Sequence, residues 1–171
     1  CSSDLSAEIL DTEMTYDLII LSGHAFQVFL SREQRIAALQ NIQRHLSPDG
    51  IVLFDSRNPA AEEWREWTPE RSREVQRSDK FGDVISWNDV SEHNGVVRYQ
   101  TFYQIRENGR TYRAESDIAF PSAAEITEAV TFSGLMVRHI YGDHQSGPFR
   151  PDSREMVFEL SHPQCNQACA A

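Results

Sequence analysis

The sequence predicts an α/β domain: a small sheet of about four strands built around a strand–helix–strand unit, with an antiparallel meander inserted into it. Three observations carry that expectation. Two continuous apolar runs, residues 16–22 and 51–55, flank an amphipathic stretch that opens at Ser31. Parallel strands need such a crossover, and continuous apolar runs suit strands buried on both faces. From Val84 the apolar period becomes two, with Asn94-Gly95 and Asn108-Gly109 as turn signals.

Taken in order, residues 1–15 are polar with scattered Leu5, Ile9, Leu10 and Met14, and Tyr16-Asp17-Leu18-Ile19-Ile20-Leu21 then forms the first strand, closed by Ser22-Gly23. Ser31 opens a helix, because Gln34 at its third position completes a capping box. Ile36, Leu39, Ile42 and Leu46 give that helix one apolar stripe, and Ser47-Pro48-Asp49-Gly50 ends it. Ile51-Val52-Leu53-Phe54-Asp55 is the second strand. Residues 60–67 read as a short helix and the charged run 70–80 as a solvated face. The meander is expected over about residues 80–120. Ser122 and Glu125 form a second capping box, Gly134 ends that helix, and residues 136–141 and 156–160 are the last strands, joined by a Gly/Pro-containing loop over 142–153. One domain over residues 1–160 and a flexible tail over 161–171 are expected.

Composition narrows the function. The chain has 171 residues and a formal net charge of −10. Binding a nucleic-acid duplex requires Lys/Arg gathered on one face, so that balance excludes nucleic acid as the expected partner. No apolar run approaches the roughly 18–20 residues of a membrane span. The three cysteines, Cys1, Cys165 and Cys169, stand at the ends, which makes a reducing cytoplasm the default compartment. Cys1-Ser2-Ser3-Asp4 mimics the start of a lipidated protein, but no linker follows it; a chain lacking its natural start is the simpler reading. His162, Cys165 and Cys169 have metal-like spacing but no fourth ligand, so no metal is expected.

Tyr16-Asp17-Leu18-Ile19-Ile20, an amphipathic helix, and His45-Leu46-Ser47-Pro48-Asp49-Gly50-Ile51-Val52-Leu53-Phe54-Asp55 together resemble the middle of a class I S-adenosylmethionine-dependent methyltransferase, where the pattern is (F/Y)-D-L-I, helix, L-x-P-G-G, strand. Asp49 replaces the first glycine. Gly23-His24-Ala25-Phe26-Gln27, Asp55-Ser56-Arg57-Asn58-Pro59 with Trp64 and Trp67, and Tyr141-Gly142-Asp143 narrow the likeness to a bacterial small-molecule subgroup with an inserted antiparallel sheet. The resemblance covers about residues 3–160 and implies a partial Rossmann-like methyltransferase sheet. The cofactor it implies is S-adenosylmethionine, gripped in the family by an earlier glycine-rich turn, because close approach to backbone requires glycine. This sequence has no such turn; its eight glycines never stand closer than five residues apart. The likeness is therefore to the C-terminal two thirds of the family fold. It implies a unit that does not bind the cofactor or turn over alone, or one completed by another chain or by residues outside this sequence. A small-ligand-binding or interaction module that reuses the cleft is the third alternative.

Strand ends in open α/β sheets face the ligand crevice. Asp4, Ser22 and Gly23 are the expected cofactor-side remnant, with Asp4 matching the acid that meets the adenine amino group. His24 is the candidate catalytic residue, as proton acceptor or acceptor-positioning group; otherwise it is a loop histidine bonding backbone. Phe26, Asp55, Arg57, Asn58 and Tyr141 are the candidate substrate contacts: Phe26 by stacking, Arg57 by pairing an anion. Asp55 and Asn58 also suit turn chemistry before Pro59. Asp143 and His144 follow a strand and are weaker candidates for the cleft. Trp64, Trp67 and Trp87 suit either a pocket or the packing between two layers. In the family's strand order the strand 16–22 lacks its neighbour here. An open apolar edge seeks pairing, so a homodimer through that strand is expected.

Overall fold

The computed structural model describes residues 14–163. It contains two four-stranded sheets. The first has the order β1-β2-β8-β7, from β1 (Tyr16–Leu21), β2 (Leu46–Arg57), β7 (Met136–Tyr141) and β8 (Glu155–Ser161). β1 and β2 are parallel and joined by α1 (Arg32–His45), whereas β8 runs antiparallel to both β2 and β7. The second sheet is the meander: β3 (Glu74–Ser78), β4 (Gly82–His93), β5 (Val96–Ile105) and β6 (Thr111–Ala119), paired antiparallel in sequence order.

Local chemistry sets the helix starts. Ser31 caps α1 and Ser122 caps α3 (Ala123–Phe132), each by accepting from the third backbone N–H while the Gln34 or Glu125 side chain accepts from the cap's own N–H. The helix ends differently from expectation. α1 stops at His45, and Leu46 already pairs with Tyr16. Between the pairs Tyr16–Leu46 and Leu18–Ile51 the extra residues Ser47–Gly50 bulge out, and Ser47 Oγ donates to Asp17 Oδ1 at 2.7 Å.

α1 and α3 touch each other and lie on one face of the first sheet. The core there joins Leu39, Ile42, Ile126 and Val130 to Val52, Phe54, Met156, Phe158 and Leu160. Three rings run through it: Phe26 stacks on Phe54 at 4.3 Å, and Phe54 on Phe158 at 5.1 Å. This one-sided arrangement corrects the expectation that β1 is buried on both faces. Ile19 and Leu21 pack on the core, while Leu18 and Ile20 point the other way and are 53% and 58% exposed.

The stretch 60–67 is not one helix but two 3-10 turns, Pro59–Ala61 and Glu63–Glu66. The charged run contains the one-turn α2 (Pro69–Ser72) and β3, so the meander begins at Glu74 rather than near residue 80. At the β4–β5 hairpin Asn94 and Gly95 both have positive φ, 52° and 76°, the geometry the Asn-Gly pair permits. Trp64 and Trp67 pack edge-on and tilted against Phe120, beside Val97, Ile118 and Tyr99. They pack on the meander side, and Trp67 reaches the first sheet through the Arg57 guanidinium 5.0 Å over its ring. Trp87 lies elsewhere, stacked on Phe102 at 5.2 Å and lining a separate cavity of about 300 Å³ with Ser86 and Tyr103.

Among the described residues no helix is long and apolar enough to cross a membrane. Asp4, Cys1, Cys165 and Cys169 fall outside them; the His162 ring hydrogen-bonds the Leu46 carbonyl at 3.1 Å.

Candidate functional site at the strand ends

A cavity of about 400 Å³ opens where the C-terminal ends of β1 and β2 meet the meander. Gly23, His24, Ala25 and Val28 form its floor, Arg57 and Trp67 one wall, and Asn88, Tyr99, Thr101 and Ile118 the meander wall. The floor is built by a tight backbone reversal. Gly23 and His24 both take left-handed φ, 69° and 60°. For histidine this conformation costs roughly 1–2 kcal/mol, and it is held because the His24 N–H donates to Asp55 Oδ1 at 3.0 Å. The chain then enters a 3-10 turn, Ala25–Val28.

The reversal aims the His24 ring at two acids. Nε2 lies 2.9 Å from Glu155 Oε2 and 3.6 Å from Asp55 Oδ2. His144 Nε2 approaches the same Asp55 oxygen at 3.4 Å. Asp55 and Glu155 come from neighbouring strands, and the register that pairs Arg57 with Glu155 and Asp55 with Val157 sets them side by side. Since a carboxylate only accepts, Nε2 carries the proton in this contact.

Arg57 is fixed from two sides. Its Nη1 donates to Gln27 Oε1 at 2.9 Å, and the guanidinium lies 5.0 Å over the Trp67 ring. Its Nε is buried without a hydrogen-bond partner and stands 3.6 Å from Glu63 Oε1. Gln27, fully buried, also donates to the Ala119 carbonyl at 2.8 Å, so one amide links β2, the turn after β1, and the end of β6.

The other candidates sit elsewhere. Phe26 is fully buried in the ring stack beneath the cavity floor. Asn58 donates to the carbonyls of Pro151 and Ser153 and accepts from the Ala60 N–H, which pins two loops together. The Tyr141 hydroxyl donates to Glu159 at 3.0 Å, a contact that holds its proton more tightly than in a free phenol. Asp143 accepts from the N–H groups of Gln145 and Gly147, and those bonds lower its pKa. Ser22 is exposed at the strand end.

No protein-family model matches the chain. The cypemycin N-terminal methyltransferase of a Streptomyces species is 25% identical over 161 residues, 88% of this chain and 60% of that protein. A solved S-adenosylmethionine-dependent methyltransferase from Clostridium acetobutylicum superposes with a TM-score of 0.79 at 10% identity, over 95% of this chain and 64% of that one. An S-adenosylmethionine-bound amino pentose methyltransferase from Micromonospora echinaspora superposes with a TM-score of 0.65 at 15% identity, over 92% and 63%. The fold is that of a class I S-adenosylmethionine-dependent methyltransferase. The chain spans about three fifths of the length of these methyltransferases.

A methyltransferase of this fold needs a donor pocket, and the described residues provide little of one. A Cβ built on Gly23 would meet nothing within 4 Å, so the backbone there is open to a ligand. The close-approach cradle that several clustered glycines would give is absent from the sequence. Ser22 and Gly23 alone do not fit the whole donor. The cavity beside Gly23 is better furnished with side chains, and much of its lining went unread in the sequence. Glu155 stands 131 positions from His24 and is joined to it only by sheet register. Asn88, Tyr99, Thr101 and Ile118 follow the alternation of the meander, a signal that marks a shared face but not what the face looks onto.

Proposed function

We propose that these residues form the acceptor-binding portion of an S-adenosylmethionine-dependent methyltransferase that acts on an amine of a small molecule or peptide, and that the 171-residue chain alone is catalytically silent. His24 on the floor of the cavity, its ring held from behind by Glu155 and Asp55, carries the reading. An amine must be neutral to attack a methyl group. A histidine at the acceptor position can take its proton on Nδ1, while Glu155 holds the ring through Nε2. Arg57 and Trp67 close one side of the acceptor, and Asn88 and Thr101 offer amide and hydroxyl contacts on the other. The names of the two relatives, an N-terminal and an amino pentose methyltransferase, favour an amine over an oxygen acceptor. The donor, when bound, supplies the methyl group; a glycine-rich turn beyond those in this sequence would have to hold it.

Labelled methyl transfer to a panel of amines tests the reading, with the chain alone and with the longest reading frame that contains it. Transfer is expected only from the longer product. His24→Asn, which tolerates the left-handed backbone, should lower kcat by about 100-fold or more. Transfer by the 171 residues alone, or an unchanged kcat in the variant, contradicts the proposal.

We also propose that two copies pair through β1. Its exposed Leu18 and Ile20, on the face opposite both helices, support this, as does the position of β1 at the edge of its sheet among the described residues.

A further inference from the structure

The cavity at His24 is the first of three that share walls along one face of the meander. Asn88 and Thr101 belong both to it and to a second cavity of about 300 Å³, lined also by Ser72, Glu74, Gln76 and Ser86. Tyr103 belongs to the second and to a third of about 400 Å³, lined by Phe81, Val84, Ile105 and Tyr112. Register explains the continuity. Asn88 pairs with Thr101, Ser86 with Tyr103, Val84 with Ile105, and Tyr103 with Tyr112, so these side chains fall on one face, rung after rung. From Tyr99 to Ile105 is six residues of extended strand, about 20 Å.

The two faces of the meander differ in kind. The outer face carries the ion pairs Arg98–Asp117, Arg106–Asp83 and Arg113–Glu115. The inner face carries no Lys or Arg on its strands from Val84 to Tyr112. Its character changes along its length. At the head, opposite the meander's Tyr99 and Ile118, stand His24, Arg57 and Trp67. The middle has neutral amides and hydroxyls bonded to one another and to Glu74: Thr101 Oγ1 to Asn88 Oδ1 at 2.9 Å, Gln76 to Glu74 at 2.6 Å, Ser86 to Glu74 at 3.3 Å. The far end is aromatic: Phe81 is 43%, Tyr103 45% and Tyr112 46% exposed, with Lys80 Nζ 5.2 Å from the Phe81 ring and the Arg110 guanidinium 5.0 Å from the Tyr112 ring at its margin.

We propose that this face is an extended acceptor groove, and that the acceptor is a peptide lying along it. Its amine enters at His24, its backbone amides pair with the middle groups, and an apolar side chain about five or six residues along fills the Phe81–Tyr103–Tyr112 end. This deepens the amine reading above and rests on it for the position of the amine. A compact acceptor would fill the first cavity only. A chain of about six residues matches the length, the amide- and hydroxyl-rich middle around the single carboxylate Glu74, and the aromatic end.

Fluorescence anisotropy on the 171-residue chain tests it with dye-labelled hexapeptides carrying a free N-terminal amine. One has Leu at its last position, one Ser there, and a dipeptide is the short control. The Leu probe should bind at least tenfold more tightly than the other two. Tyr103→Ala with Tyr112→Ala should erase that advantage and leave the dipeptide unchanged. Equal affinity for the Leu and Ser probes overturns the groove without requiring any variant to fold. So does a double variant that changes only the oligomeric state in size-exclusion chromatography, which would make the aromatic end a contact between copies. An N-acetylated Leu probe separates the two readings. If it binds as well as the free amine while the Leu dependence persists, the groove stands and the amine assignment fails.

Discussion

Gln27 is the joint between the two sheets, and removing its amide is expected to destabilise the protein strongly. The side chain is fully buried, donates to the Ala119 carbonyl at 2.8 Å and accepts from Arg57 Nη1 at 2.9 Å. In Gln27→Ala the Ala119 carbonyl and the partly exposed Arg57 guanidinium both lose their bond to the buried amide. A neutral hydrogen bond contributes about 0.5–1.5 kcal/mol and one to a charged group about 1.5–3, so the loss should total roughly 2–4 kcal/mol. With a urea slope near 2 kcal/mol/M, the midpoint should fall by roughly 1–2 M with the slope unchanged. The Arg57 share can be isolated by a double-mutant cycle with Arg57→Met. The double variant should cost about 1.5 kcal/mol less than the two singles added, because the Arg57 bond can be lost only once. A midpoint shift below about 0.3 M, or strictly additive variants, would refute the role of Gln27 as the joint.

Two further outcomes follow from the structure. Glu125 accepts from the backbone and hydroxyl of Ser122, bonds that hold its pKa below the ordinary 4.5. A depressed carboxylate stabilises the fold above its unfolded value and loses that contribution as pH falls through the folded one. Glu125→Gln should therefore lower thermal stability at neutral pH, by well under ~1 kcal/mol at so exposed a site, and match the parent once the pH is well below 4.5; a gap that persists in acid would contradict this. For the proposed pairing through β1, Leu18→Asp should convert a dimer to a monomer in light scattering with little change in monomer stability, since Leu18 is 53% exposed. A monomeric parent would dispose of the pairing.

What was legible in the sequence is what is locally encoded. The capping boxes at Ser31 and Ser122 need only three residues of spacing, and both form as read. The Asn94-Gly95 turn and the alternation beyond Val84 gave the meander for the same reason. Glu74–Ser78 was read as a solvated face because four of its five residues are exposed and polarity dominates; only its ladder with β4 makes it a strand. For β1 the apolar run alone suggested burial on both faces, because such a run does not report how many helices cover it, while the open edge expected of strand 16–22 matches the exposed Leu18 and Ile20. Within the site, His24, Gly23 and Arg57 were accessible as residues just past strand ends. Phe26 satisfies the same rule and lies in the core, since the 3-10 turn rotates it onto Phe54. Glu155 had no local signal, because its partner His24 is brought to it by sheet register alone.

Titration calorimetry of S-adenosylmethionine into the purified 171-residue chain tests the central claim most directly. The account predicts no heat of binding in the micromolar range, since Ser22 and Gly23 offer only an open strand end. A one-to-one complex of micromolar affinity, lost in Gly23→Val, would contradict it.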